Sequence, residues 1–185
     1  MVNKIKFCTI LRERSLEHKK AITLMLQNEL YGQAISILRQ ELDSMVRVIF
    51  LIEEPDFSIR EHYVEQTLEN VKWTLPNSRS AITDRQMVEL SNLLFGWTKS
   101  VYKLGCAFIH LSPMSNYRNE NPFLNLDEVE IQDIKNHLHN YHGFPLASDL
   151  NMDTISPYLN KVFIKVSDNL EAYIESFEND AIGDI

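Results

Sequence analysis

Residues 33–54, QAISILRQELDSMVRVIFLIEE, decide the fold. At about 100° per residue, Ala34, Ile35, Ile37, Leu38, Leu42, Met45, Val48, Ile49 and Ile52 cover a very wide apolar arc. That breadth predicts a helix at the centre of a bundle, and Pro55, which has no N–H to continue the ladder, stops it. Only a narrow polar stripe remains: Ser36, Arg39, Gln40, Asp43 and Arg47. Arg39, Asp43 and Arg47 step by four, so both guanidinium groups can reach one carboxylate. On so apolar a helix this row is expected in a groove or at an interface, although the ordinary reading is an intrahelical ion-pair ladder. Glu41 falls inside the apolar arc. An unpaired buried carboxylate is costly, so Glu41 requires either a base from another helix or a subunit interface.

Working outward, helical periodicity recurs. Ser15 to Leu30 reads as the preceding helix, with Ile22, Met25, Leu26 and Leu30 on one face and a break at Gly32. Residues 59–74 form a shorter, more polar helix closed by Pro76-Asn77. Thr83 caps a long helix to about His110, with Leu90, Leu94, Trp97, Val101, Leu104 and Phe108 in its seam. Ser112-Pro113 ends it, and residues 115–125 are loop. Asp127 opens a helix to about Tyr141, and Ser156-Pro157 opens the last one, to about Phe177. The opening IKFCTIL alternates weakly and suits a short strand that would have no partner. The fold class is all-α: a single helical bundle of about six helices with long central helices. One domain is expected over residues 1–185, with 1–14 and 178–185 peripheral or frayed.

Composition narrows the function classes. The chain has 185 residues with only five Gly and six Pro, which argues against sandwiches, barrels and low-complexity chains. A net charge of −8 disfavours a non-specific nucleic-acid coat or an anionic-membrane binder. The longest clean apolar run, Val48 to Ile52, is far too short to span a membrane, and no signal peptide opens the chain. Cys8 and Cys106 form neither a zinc spacing nor a disulfide framework, so a cytoplasmic setting is expected. Residues 1–20 carry six Lys/Arg against two Glu, whereas residues 168–185 carry six acids and no base. These ends can attract each other, within one chain or between two subunits; the plainer reading is two solvated termini.

Chemistry-bearing residues gather on the helix that ends at His110. Lys99, Lys103, Cys106 and His110 fall within about 60° of one another, opposite the seam. Such a stripe can bind an anion and supplies a proton-transfer group. The ordinary reading is a solvated face with His110 favoured at a helix C-terminus. Cys106 as a nucleophile lacks an orienting third group. His137, His139 and His142 invite a metal, but His137 and His139 point about 200° apart on a helix. His139 and His142 have no nearby cysteine or acidic pair, so imidazolium at a helix C-terminus is the better account. Neither GxGxxG nor GxxxxGK[ST] occurs, and no cofactor or metal is expected. A small-ligand pocket lined by Trp73, Trp97, Tyr102 and Phe108 is a weaker option, because aromatics at helical spacing usually form core.

The apolar helix carrying ILRQELDSMVRVIFL and the later helix ending KLGCAFIHLSP together resemble the HEPN superfamily of helical nucleotide-binding domains, and in particular its uncharacterised bacterial members. Those show an Arg with an acid four residues on, matched by Arg39 and Asp43, and a His followed closely by Ser, matched by His110 and Ser112. The resemblance covers roughly residues 15–177. It implies a helical bundle, usually dimeric, in which many relatives cleave RNA without metal, in bacterial defence or toxin–antitoxin biology. Lys103 stands seven residues before His110, where the family signature has Arg. On this reading His110 and Lys103 are catalytic, His110 as general base on a 2′-hydroxyl or acid to the leaving oxygen. Arg39, Arg47 and Lys99 hold the phosphate, with Asp43, Tyr102 and Ser112 in support. The alternative is a non-catalytic helical homodimer that binds a partner protein, resting on the acidic charge, the over-wide arc and the charge asymmetry of the ends.

Overall fold

A computed structural model of the protein describes residues 2–109 and 112–179, apart from the side chain of Ala107. Among them are seven α-helices and no strand: α1 (Val2–Gln27), α2 (Tyr31–Glu53), α3 (Phe57–Leu68), α4 (Asp84–Phe95), α5 (Thr98–Ile109), α6 (Glu128–His142) and α7 (Met152–Glu178). Two short 3-10 turns, Pro113–Asn116 and Pro122–Asn125, join α5 to α6. The long helices α1, α2 and α7 form the body of the bundle, and α2 also packs against α4 and α5. The wide apolar arc of α2 is therefore core, with Ile35, Leu38, Leu42, Met45, Val48, Ile49 and Ile52 all buried. It is not left over as an interface.

Glu41 has its base from another helix. The carboxylate has no solvent access and receives the Ser15 hydroxyl at 2.5 Å and His18 Nδ1 at 2.6 Å, both from α1. Ser15, read from the sequence as the start of this helix, lies mid-helix instead, and its hydroxyl also meets Ser167 of α7 at 3.3 Å. Three helices thus converge on one buried acid.

Several boundaries differ from the sequence reading. Residues 2–14, expected as a strand or a frayed lead-in, are the first half of α1 and bury Phe7, Cys8 and Leu11. The α1 pattern is blurred because apolar residues also occupy its outer face. Between α1 and α7, Arg12 reaches Glu171 at 2.7 Å and forks onto Glu178 at 2.7 and 2.8 Å. Arg12 of the basic start is thus paired within the chain, to two acids of α7, rather than left to solvent. The Thr83 cap is present as a full capping box with Gln86. The helix it opens stops at Gly96, whose φ of 73° is open to glycine and costly for most residues, so α4 and α5 are separate. Residues 59–74 are helical only to Leu68, and Asp56 caps that helix. The last helix starts one turn early, because Asn151 and Thr154 form a capping box and Pro157 is carried inside it. No described helix is long and apolar enough to cross a membrane.

His18→Ala would leave Glu41 buried with only a hydroxyl partner. It is expected to cost about 3–5 kcal/mol, read as a lower urea midpoint, because one member of a buried pair is left uncompensated. The double replacement Glu41→Met with His18→Leu should recover most of that loss. A His18→Ala protein as stable as the parent would show that the pair does not hold the bundle together.

Candidate functional site

The face where α2 meets α5 gathers part of the expected site. Arg39 is only 3% exposed although it belongs to the polar stripe of α2. Its guanidinium pairs with Asp43 one turn on and lies 4.0 Å from the centre of the Tyr102 ring. A Cβ built on Gly105 would come within 2.6–2.8 Å of Arg39 Cβ, Cγ and Cδ, so the Arg39 stem crosses α5 where α5 has no side chain. Burial first, then the neighbouring Cys106 thiol, raises the Tyr102 hydroxyl above its ordinary value, while Arg39 opposes the shift. Arg39, Asp43, Tyr102 and Cys106 are therefore one unit, and Arg39 Nε within it has no acceptor.

The remaining expected residues are not part of that unit. Arg47 does not share Asp43 with Arg39; it bonds Asp84 of α4 at 2.6 Å and lies over the Trp73 ring at 5.3 Å. Lys103 faces α6, where its Nζ is 3.2 Å from Glu130. Lys99 is exposed at the start of α5, its backbone N–H bonded to Asn92 Oδ1 at 3.2 Å. Ser112 caps the first 3-10 turn by accepting from the Met114 N–H at 3.2 Å. His110 lies outside the described residues. Arg39, Arg47 and Lys103 are thus each turned to a different carboxylate.

The four aromatics proposed as one pocket are dispersed as well. Trp73 stacks on Tyr63, Trp97 meets His137, Tyr102 meets Arg39, and Phe108 meets Tyr117. The sequence reading passed over a polar groove of about 390 Å3 beside the end of α5, whose lining includes Tyr31, Tyr117, Arg118 and Asn121. Tyr117 lies in the stretch read simply as loop, and an isolated tyrosine in a polar loop gives no periodic signal.

Two of the three histidines of α6, His137 and His142, correct the imidazolium reading. His139 Nδ1 donates to the Phe144 carbonyl at 2.8 Å, closing the helix end. His137 is buried beside Trp97 and Tyr141 with both ring nitrogens unpartnered, and burial, followed by His142 and Lys165, depresses it to about 3. His142 is also lowered, again first by burial. Both are neutral bases near neutral pH. No group of three or more metal-ligating side chains occurs among the described residues. Both cysteines are free, and burial first, then Glu178, pushes the Cys8 thiol up to about 11, which makes it a poor nucleophile.

Comparison with known proteins finds no matching family model, no similar curated protein and no similar solved structure.

Gly105→Ala tests the Arg39 crossing. Alanine favours a helix interior by up to about 1 kcal/mol, but overpacking against a side-chain stem costs about 1–3 kcal/mol. The expected net effect is destabilisation by urea titration; a stabilised variant would rule out the close approach. His137 has a pH signature of its own. Its folded value near 3 lies below its ordinary 6.5, so the unfolded chain takes up the proton first. Its share of stability is intact above about pH 6.5 and falls toward pH 3 by at most about 1.4 kcal/mol per pH unit. His137→Phe should flatten the stability profile in that window, and an unchanged profile would refute the assignment.

Proposed function

We propose that this chain is a HEPN-like helical module that works by binding protein, as a homodimer and through it a partner, rather than by cutting RNA. The HEPN-like reading is supported by the packing of the two motif-bearing helices, α2 on α5, with Arg39, paired to Asp43, held against α5. The binding reading is carried by the outer face of α1. Val2, Leu16 and Leu24 are 79%, 56% and 56% exposed and, by helix geometry, fall within about 80° of one another. A helix that docks on the core with one side and carries large aliphatics on the other has surface suited to a second helix. Cleavage is disfavoured because Arg39, Arg47 and Lys103 are each turned to an acid, leaving little local positive charge to hold a phosphate.

A second reading, an RNA-related role in bacterial defence or a toxin–antitoxin pair, is favoured by the groove at the end of α5. There Tyr31 and Tyr117 lie 6.4 Å apart beside Arg118, a pairing of ring and cation that suits stacked bases. Glu29, Glu120 and Asp153 on the same lining work against a phosphate backbone.

Two measurements separate these readings. Light scattering on the purified protein at micromolar concentration is expected to give a dimer, and Leu16→Glu with Leu24→Glu a folded monomer. Incubation with total cellular RNA in excess EDTA, with His110→Ala alongside, is expected to show no cleavage by either protein. A strictly monomeric parent would defeat the binding reading, and cleavage lost in His110→Ala would establish the RNA reading.

A further inference from the structure

We propose that the cleft between the start of α1, α3 and the end of α7 binds an apolar molecule bearing a single carboxylate, with Arg60 as its counter-ion. The cleft has a volume of about 400 Å3, within the roughly 300–1,000 Å3 range of small-molecule sites. Ile5, Phe57, Val64 and Phe177 supply its apolar walls. Arg60 also lines it, yet is only 5% exposed. The guanidinium carbon lies 5.6 Å from the centre of the Phe57 ring, and Nε has no acceptor.

No acid among the described residues forms an ion pair with Arg60, and the nearby carboxylates are otherwise engaged. Asp56 feels its charge, but Asp56 Oδ1 already accepts from the Ser58 N–H, the Ser58 hydroxyl and the Ile59 N–H. Glu178, on the cleft lining, is forked by Arg12, which holds its carboxyl below the ordinary range. Glu61 is itself partnered.

A buried cation without a counter-ion is among the costliest arrangements in a protein interior. Here an anion has a place to sit, because Arg60 lines a cleft with apolar walls. A guanidinium fork matches a carboxylate with two parallel hydrogen bonds. The lining sets Arg60 and Lys4, which is itself partnered, against the acids Glu61 and Glu178, a balance that selects a monoanion over a phosphate dianion, and the walls select an aliphatic or aryl body. A neutral alcohol of the same length fills the walls but leaves Arg60 unpaired.

Titration calorimetry with sodium octanoate and with 1-octanol tests this on the full chain. Octanoate is expected to bind saturably and more tightly than octanol. Arg60→Met should weaken octanoate by about ten- to a hundredfold, the worth of a hydrogen-bonded charge, and change octanol little. Its unliganded melting temperature should hold or rise, because a buried charge has been removed. Val64→Trp should fill the cleft and abolish both. On the unmodified protein, NOEs from octanoate to the methyls of Ile5 and Val64 locate the ligand without any variant. Absence of saturable octanoate binding, equal octanoate affinity in Arg60→Met, or NOEs only to other residues would each overturn the proposal.

Discussion

A carboxylate with no access to water sits halfway along α2, and the rest of the bundle is arranged so that it is never alone. Glu41 takes one hydrogen bond from Ser15 and one from His18, three residues further along α1, while Ser15 also meets Ser167 of α7. Hydrophobic contacts alone tolerate sliding of one helix along another; a buried acid that needs two particular donors does not. A one-turn slip of α1 would cost both hydrogen bonds and leave the charge stranded. The Arg12 fork onto α7 fixes the same register from the other end, at the surface, where each pair contributes less. With α1, α2 and α7 locked, α2 turns its remaining face to α4 and α5.

That consequence explains what the sequence disclosed and what it withheld. The all-α class and the central place of α2 were legible because an apolar arc too wide for a surface helix has one stable solution. The need of Glu41 for a partner was legible from the cost of leaving it without one. Caps were legible where a side-chain acceptor and the N–H that donates to it lie within three residues, as at Thr83 and Asp127. The break at Gly96 was hidden because the seam Leu90, Leu94, Trp97, Val101 keeps its period through the glycine. Periodicity describes faces and is silent about one residue with positive φ. The start of α1 was hidden for a related reason: Ile5 and Ile10 are exposed, so IKFCTIL has no clean face.

The candidate site divides along the same line. Arg39 and Asp43 are four apart and their pairing follows from helix geometry. Arg47 also stands four from Asp43, yet it chose Asp84, 37 residues away, and Lys103 chose Glu130. Sequence spacing lists the partners within one helix, whereas tertiary packing adds others that compete with them. Gly105 shows the reverse case, in which an unremarkable glycine decides how a charged stem on α2 can cross α5. The histidines of α6 show a third. The position of His137 and His142 near a helix C-terminus favours the cation, but the hydrophobic wall of Trp97 and the nearby Lys165 favour the neutral base, and burial prevails.

Arg39 and Arg60 make the most telling comparison in the molecule. Both are almost fully buried, both lie against an aromatic ring, and each has an unpartnered Nε. Arg39 has Asp43, so its charge is balanced within the fold and needs nothing from outside. Arg60 has no such acid, and its neighbours' carboxylates are held by an N-cap and by Arg12. A stripe of exposed cations says little, because water solvates each of them at small cost. A single buried cation facing an apolar cavity says more, because its surroundings supply neither water nor a counter-ion in quantity. The position that sequence spacing singled out is the one already neutralised, and the position it passed over, in a short polar helix, is where the fold leaves a charge to be answered.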